Sequence, residues 1–294
     1  MRVLVTGANG QLGTEFVALS KASGDDVIAL GHAELDVSSR ESVLQTVHHL
    51  SPETILHAAA WTNVDGCETD PARAYAVNSL GTRHIAEAAA ACGARVLYVS
   101  SDYVFDGRGG GPDGRLAYTE WDTPNPTSHY GRSKLGGERE LETLLGPAAT
   151  IVRASWVVGQ YGQNFVKTML RLAADPVTSP TVVDDQFGCP TFTADLAAVL
   201  RQLAVMRLPG VFHASNAGSV SWCEFAKAIF AAAGCDPERV RPVSTAAYAA
   251  GRTAVTAPRP SFSVLDRIAL TGVGLAMPTW GPSLAATVAA LRAG

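Results

Sequence analysis

Tyr130 and Lys134 stand four residues apart in Tyr130-Gly131-Arg132-Ser133-Lys134, so a helix sets a phenol and an ammonium on one face. A cation beside a phenol favours the phenolate and lowers its pKa, which suits the tyrosine to proton transfer. An isolated pair of this spacing is commonplace on amphipathic surface helices. A second run shifts the balance: Thr6-Gly7-Ala8-Asn9-Gly10-Gln11-Leu12-Gly13, directly behind the apolar Val3-Leu4-Val5. A buried strand there feeds a tight turn at Gly7. Gly10 leaves room for a pyrophosphate, and Gly13 lets the following helix pack close to the strand. The unpaired N–H groups of that helix start suit phosphate. The spacing is G-x-x-G-x-x-G rather than G-x-G-x-x-G, and its place after the first strand raises it above an ordinary glycine turn.

These groups need elements to hold them. Apolar runs of strand length fall at Arg2–Thr6, Asp26–Leu30, Thr54–His57, Arg95–Ser100 and Thr150–Arg153. Helical patterns occupy Gln11–Ala22, Ser39–His49, Pro71–Ala91, Ser128–Leu145, Asn164–Ala173, Ala194–Met206 and Cys223–Ala233. Short apolar strands alternating with helices predict an α/β fold of the Rossmann type, a doubly wound parallel sheet with ligands beyond the carboxyl ends of its strands. Residues 1–155 are read as the dinucleotide-binding domain, with 193–214 returning to it; 156–192 and 215–294 form a smaller substrate-binding region. Gly107 to Gly114 is expected to be a surface loop or hinge beside the site.

With 294 residues, 47% apolar and 17% charged, the chain reads as a globular protein with a large core. A net charge of −4 leaves no electrostatic footprint for nucleic acid. Cys67, Cys92, Cys189, Cys223 and Cys235 are scattered without a C-x-x-C pair, as free thiols in a reducing compartment would be. Cys189 reads as a packing residue. No signal peptide and no run of membrane-spanning length is apparent, so a cytoplasmic location without membrane contact is expected. Asp65, Glu68 and Asp70 lie where a helix begins and have no His or Cys partners, so they suit the helix N-terminus better than a metal, and no metal is assigned. A homodimer is compatible with the sequence, which does not specify an oligomeric state.

The chain resembles the extended short-chain dehydrogenase/reductase family. The resemblance rests on Gly7 to Gly13, His57-Ala58-Ala59-Ala60-Trp61-Thr62, Ser100-Ser101-Asp102-Tyr103-Val104-Phe105-Asp106-Gly107 and Tyr130 to Lys134. It continues through Arg153-Ala154-Ser155-Trp156-Val157, Asn164-Phe165, Asp185-Gln186-Phe187-Gly188-Cys189-Pro190-Thr191 and Arg259-Pro260 with Ser263 and Leu265, in family order over nearly the whole chain. It implies a reduction of a dTDP-linked 4-keto-6-deoxy sugar by NADPH or NADH. Tyr130 would supply the proton, Lys134 would also hold the nicotinamide ribose, and Ser101 would face the carbonyl where relatives usually carry Thr. Strand alternation points Ser100 and Ser101 to opposite faces, so only one of them can do so.

The second strand ends Leu30-Gly31-His32, without the carboxylate that usually grips an NAD ribose, so a 2′-phosphate is tolerated and NADPH ranks slightly above NADH. His32 stands where it could meet that phosphate, although a solvent-facing turn suits it as well. By resemblance, Asp36 and Val37 lie along the adenine. Asn9, Gln11 and Leu12 belong to the phosphate turn, Ala58, Ala59 and Ala60 leave space for the dinucleotide, and Trp61 and Thr62 border the nicotinamide. Asp102, Tyr103 and Trp156 are candidates for the sugar pocket, and Trp156 reads almost equally as a core aromatic. Asn164, Phe165, Gln186, Thr191 and Arg259 are candidates for the nucleotide; an arginine between two prolines suits a diphosphate. Two rivals remain: a nucleotide-sugar epimerase or dehydratase that recycles tightly bound NAD, and a non-catalytic regulatory subunit of the same fold, which need not keep Tyr130, Lys134 and the Ser101 hydroxyl.

Overall fold

The computed structural model describes residues 1–110, 116–250 and 255–293. Six strands form one parallel sheet: β1 (Arg2–Thr6), β2 (Asp26–Leu30), β3 (Thr54–His57), β4 (Arg95–Ser101), β5 (Ala149–Ala154) and β6 (Gly210–His213). Their order is β6-β5-β4-β3-β1-β2, so the direction of winding reverses between β1 and β3. A crevice opens beyond the carboxyl ends at such a reversal.

Successive side chains of a strand point to opposite faces, and here both faces are covered, which is why the strands read as unbroken apolar runs. On one face Val3, Val5, Leu56, Leu97 and Val152 pack with Phe16 of α1 (Gln11–Ala22) and Leu200 and Leu203 of α8 (Thr193–Met206). On the other, Leu4, Ile55, Val96, Tyr98 and Ile151 pack with Val43 and Val47 of α2 (Arg40–Leu50) and Ile85 and Ala89 of α5 (Gly81–Cys92). A third core joins α7 (Phe165–Ala174), α9 (Trp222–Ala232) and α10 (Trp280–Ala293) through Val166, Met169, Phe225, Phe230, Leu284 and Val288. Among the described residues, no helix is long and apolar enough to cross a membrane.

The expected single helix over Pro71–Ala91 is interrupted. α3 (Val64–Thr69), which the apolar pattern did not reveal, precedes α4 (Pro71–Tyr75), and Ala76–Leu80 forms a π-helical turn before α5. Such turns insert a residue into the helical ladder and concentrate at functional sites. Here the turn carries buried Asn78, whose Oδ1 accepts from the Trp61 N–H at 2.8 Å while Nδ2 donates to Trp61 O at 3.1 Å and to Ser133 Oγ at 2.9 Å. One amide thereby ties the segment after β3 to α6 (His129–Leu145). Residues 111–114 of the anticipated hinge lie outside the described residues; beside them Gly110 pairs with Leu116.

Candidate active site

The glycine turn leaves β1 through Gly7, whose φ of +68° favours glycine. A Cβ there would lie 2.7 Å from Ala59 N, so the turn is pressed against the segment after β3. A Cβ on Gly13 would collide with Gly7 O, which shows how closely α1 sits on the turn. Gly10 caps α1 with no side-chain hydrogen bond, and the first turn of the helix has no acidic residue. The N–H groups of that first turn are left for an anion.

At the far side of the same crevice, β4 ends at Ser101 and α6 begins behind its cap Ser128, whose hydroxyl accepts from Gly131 N at 3.1 Å. Tyr130 and Lys134 share the buried face of α6. Ser100 Oγ donates to Glu138 Oε1 at 2.5 Å, and Arg153 closes on the same carboxylate through Nε at 2.9 Å and Nη2 at 2.7 Å. The Ser100 hydroxyl is therefore committed beneath the site. Ser101 turns instead to Asp102, donating to Oδ1 at 3.0 Å and accepting from Tyr103 N at 3.2 Å, and its hydroxyl also favours the ionised form of Tyr130. Tyr103 stands edge-on to Tyr130 with ring centres 5.5 Å apart.

The electrostatics correct one expectation. Tyr130 is not depressed by Lys134: burial, reinforced by the Asp102 carboxyl, holds the phenol above its ordinary range, with Ser101 opposing. Burial lowers Lys134 to about 7 against the pull of Glu138, and its ammonium sits over the Tyr98 ring, 4.1 Å from the centre. Burial also raises Asp102 to about 6. A tyrosine kept protonated at neutral pH is a proton donor.

One cleft of about 630 Å³ joins the two ends. Gly7, Asn9, Gly10, Gln11, Leu12, Gly13, His32, Val37, Ala58, Ala59, Ala60 and Trp61 line it, as do Ser101, Asp102, Tyr103, Tyr130, Lys134 and Trp156. A dinucleotide fits such a channel: glycines and unpaired helix N–H groups at one end, small alanines along the floor, and a proton donor at the other end.

Asp36 does not line the cleft. Its carboxylate accepts from Ser38 N at 2.9 Å and Ser38 Oγ at 2.7 Å, bonds that hold its pKa below the usual value. The five residues expected at the nucleotide are also absent from these walls. Asn164 caps α7 and donates to Gln11 Oε1 at 3.0 Å, and Gln186 donates to Thr245 Oγ1 at 2.9 Å. Phe165 packs edge-on against Trp222, and Thr191 pairs with Val157 behind the site. Arg259 Nη2 meets Asp65 Oδ1 at 2.9 Å, which fastens its loop to α3. The other acids of that region have structural partners too: Glu68 accepts from His129 N at 2.7 Å, and Asp70 caps α4. Cys189 is buried, and its carbonyl accepts from Ser155 Oγ at 2.6 Å.

Several wall residues escaped the sequence reading, among them two with large side chains. Arg73, exposed on α4, brings a permanent cation to the cleft and lies 4.8 Å from the Trp61 ring centre. Trp222, the first residue of α9, stacks on Trp156. Neither belongs to a motif, and both arrive through elements distant in sequence.

A parallel sheet reversing at β1 and β3, a glycine turn at that reversal, and Tyr130, Lys134 and Ser101 across one cleft define the short-chain dehydrogenase/reductase class. The chain belongs to the RmlD substrate binding domain family, whose pattern matches residues 1–293. A dTDP-4-dehydrorhamnose reductase of Streptomyces griseus is 43% identical over 93% of this chain and 88% of its own. A dTDP-4-keto-6-deoxy-D-glucose reductase of Streptomyces niveus is 39% identical over 93% of this chain and 91% of its own. The crystal structure of a dTDP-4-dehydrorhamnose reductase from Bacillus anthracis in complex with NADP superposes with a TM-score of 0.89 at 39% identity, covering 97% of this chain and 98% of that one.

Proposed function

We propose that this chain reduces the 4-keto group of dTDP-4-dehydro-6-deoxy-L-mannose to give dTDP-L-rhamnose, with NADPH, or less readily NADH, as reductant. The observation that carries the reading is the convergence of Tyr130, Lys134 and Ser101 at one end of a cleft whose other end is a glycine turn beneath an uncapped helix N-terminus. The nicotinamide supplies the hydride when bound. Tyr130 donates its phenolic proton to the carbonyl oxygen. Ser101 hydrogen-bonds the same oxygen, and Lys134 holds the ribose while its charge eases the phenolate left behind. Asp102, Tyr103 and Trp156 shape the sugar site. The enzyme works in the cytoplasm, and its two interleaved units divide at about residue 155, with 193–214 completing the first.

Consumption of one NADPH per product separates this reading from an epimerase or dehydratase that recycles its cofactor, and any turnover at all separates it from a regulatory subunit. Incubation with dTDP-4-dehydro-6-deoxy-L-mannose, with product configuration read by NMR, tests it; formation of the C4-epimeric 6-deoxy-L-talose instead, or no turnover of this sugar, would overturn it. Ser101→Ala should lower kcat by ~10²-fold, the scale for removing one donor to a developing oxyanion. Ser101→Thr should match the wild type, because it keeps the hydroxyl. A silent Ser101→Ala with a damaging Ser100→Ala would move the role to the neighbouring residue.

A further inference from the structure

We propose that Trp222 is a positioning residue for the sugar: its indole holds Trp156 in a strained backbone conformation, and the stacked pair forms the wall that orients the keto-sugar ring. The inference rests on the reading of the site as a sugar-nucleotide reductase.

Trp156 has a φ of +48°, in the left-handed region that bulky side chains avoid. Such conformations persist only where the surroundings over-determine them, and they cluster at ligand clamps. The surroundings here do so from several sides. Trp156 O accepts from Thr191 N at 3.2 Å, and the preceding Ser155 is tied to Cys189 O. Gly188 leaves room for the indole, since a Cβ there would lie 2.5 Å from Trp156 Cε2. Trp222 lies on the indole with ring centres 3.6 Å apart and planes 11° from parallel. No other aromatic pair among the described residues stacks as closely; Phe105 on Tyr118 is next at 4.1 Å.

Trp222 is itself fixed. Ser221, the cap of α9, donates to Asp184 Oδ1 at 2.5 Å and accepts from Glu224 N at 3.1 Å, and Phe165 meets the Trp222 ring at 4.6 Å. Both indoles are only partly buried: they pack against the third core and also line the cleft with Ser101, Asp102 and Tyr130. An apolar wall facing a carboxylate and two hydroxyls matches a sugar ring, whose C–H faces are apolar and whose edge is polar. Holding that ring fixes the carbonyl carbon relative to Tyr130, a contribution made through orientation.

Stacked indoles produce an exciton couplet in circular dichroism. The couplet should be present in the wild type, change on addition of dTDP-L-rhamnose, and stay unchanged on addition of NADPH alone. Trp222→Leu should abolish it and raise the keto-sugar KM about tenfold, the upper range for one aromatic pair, with the NADPH KM unchanged within about twofold. Trp222→Phe keeps a ring in place and should restore most of the keto-sugar affinity. A couplet indifferent to saturating product in the wild type would overturn the inference without recourse to any variant. So would a Trp222→Leu enzyme with unaltered keto-sugar KM, or one in which both KM values rise together. A wild-type protein that does not turn over the keto-sugar at all would instead overturn the functional reading.

Discussion

Tyr130→Phe is expected to lower kcat by at least ~10²-fold, the low end for general acid catalysis, while the protein remains folded. The ring packs in a small cluster with Cys67 and Ala74 and stands edge-on to Tyr103, contacts that phenylalanine keeps. The lost hydroxyl faces Ser101 across the cleft. Burial raises the phenol further above its ordinary range, so its proton stays in place through neutral pH. Asp102, raised only to about 6, is mostly ionised at neutral pH and makes a poor substitute. NADPH binding, followed by fluorescence titration, should be nearly unchanged. A folded Tyr130→Phe enzyme with near-normal turnover would remove Tyr130 from the mechanism.

Gly131→Ala should be almost as damaging, against the helix propensity of the new residue. In an exposed helix this change stabilises by about 1 kcal/mol. At this position a Cβ would run into Tyr103 O and lie 2.9 Å from Pro126 Cβ. The carbonyl belongs to the short 3-10 turn Asp102–Val104 that follows Ser101, so it cannot yield without moving Ser101 and Asp102. The helix that would retreat instead carries Tyr130 and Lys134. Either response separates the proton donor from the hydroxyl facing it, and a displacement of about 1 Å costs on the order of 10²-fold in rate. Overpacking should also lower stability by roughly 1–3 kcal/mol. Thermal unfolding and steady-state kinetics check both parts. A variant at least as stable and active as the wild type would show that α6 has slack against the turn, and the tight fit of Tyr130 to Ser101 would not be what the site depends on.

What the sequence carries locally is the sheet and both ends of the cleft. The five strand segments emerge nearly residue for residue: four are buried on both faces and read as apolar runs between helices, and the partly buried edge strand β2 keeps the apolar run Val27-Ile28-Ala29-Leu30. The glycine turn and the Tyr130–Lys134 spacing are equally legible, since each is a short-range geometric requirement met within one turn or one helix. Strand alternation allows only one of Ser100 and Ser101 to face the carbonyl, and in the structure the Glu138 carboxylate takes the Ser100 hydroxyl. Tertiary structure alone decided the rest. The helical periodicity of Pro71–Ala91 conceals a π turn whose purpose is to place Asn78 against Trp61 and Ser133, partners 17 and 55 residues away. Arg259 has the residue type and the proline-stiffened loop of an anion anchor, and its ion pair with Asp65, far away in sequence, leaves no local mark. Arg73 and Trp222 reach the cleft because α4 and α9 dock there, a result of packing that leaves no local mark. Even the protonation of Tyr130 reversed the local inference. The neighbouring lysine argues for a lowered pKa, whereas the desolvation that governs it depends on everything folded around the phenol.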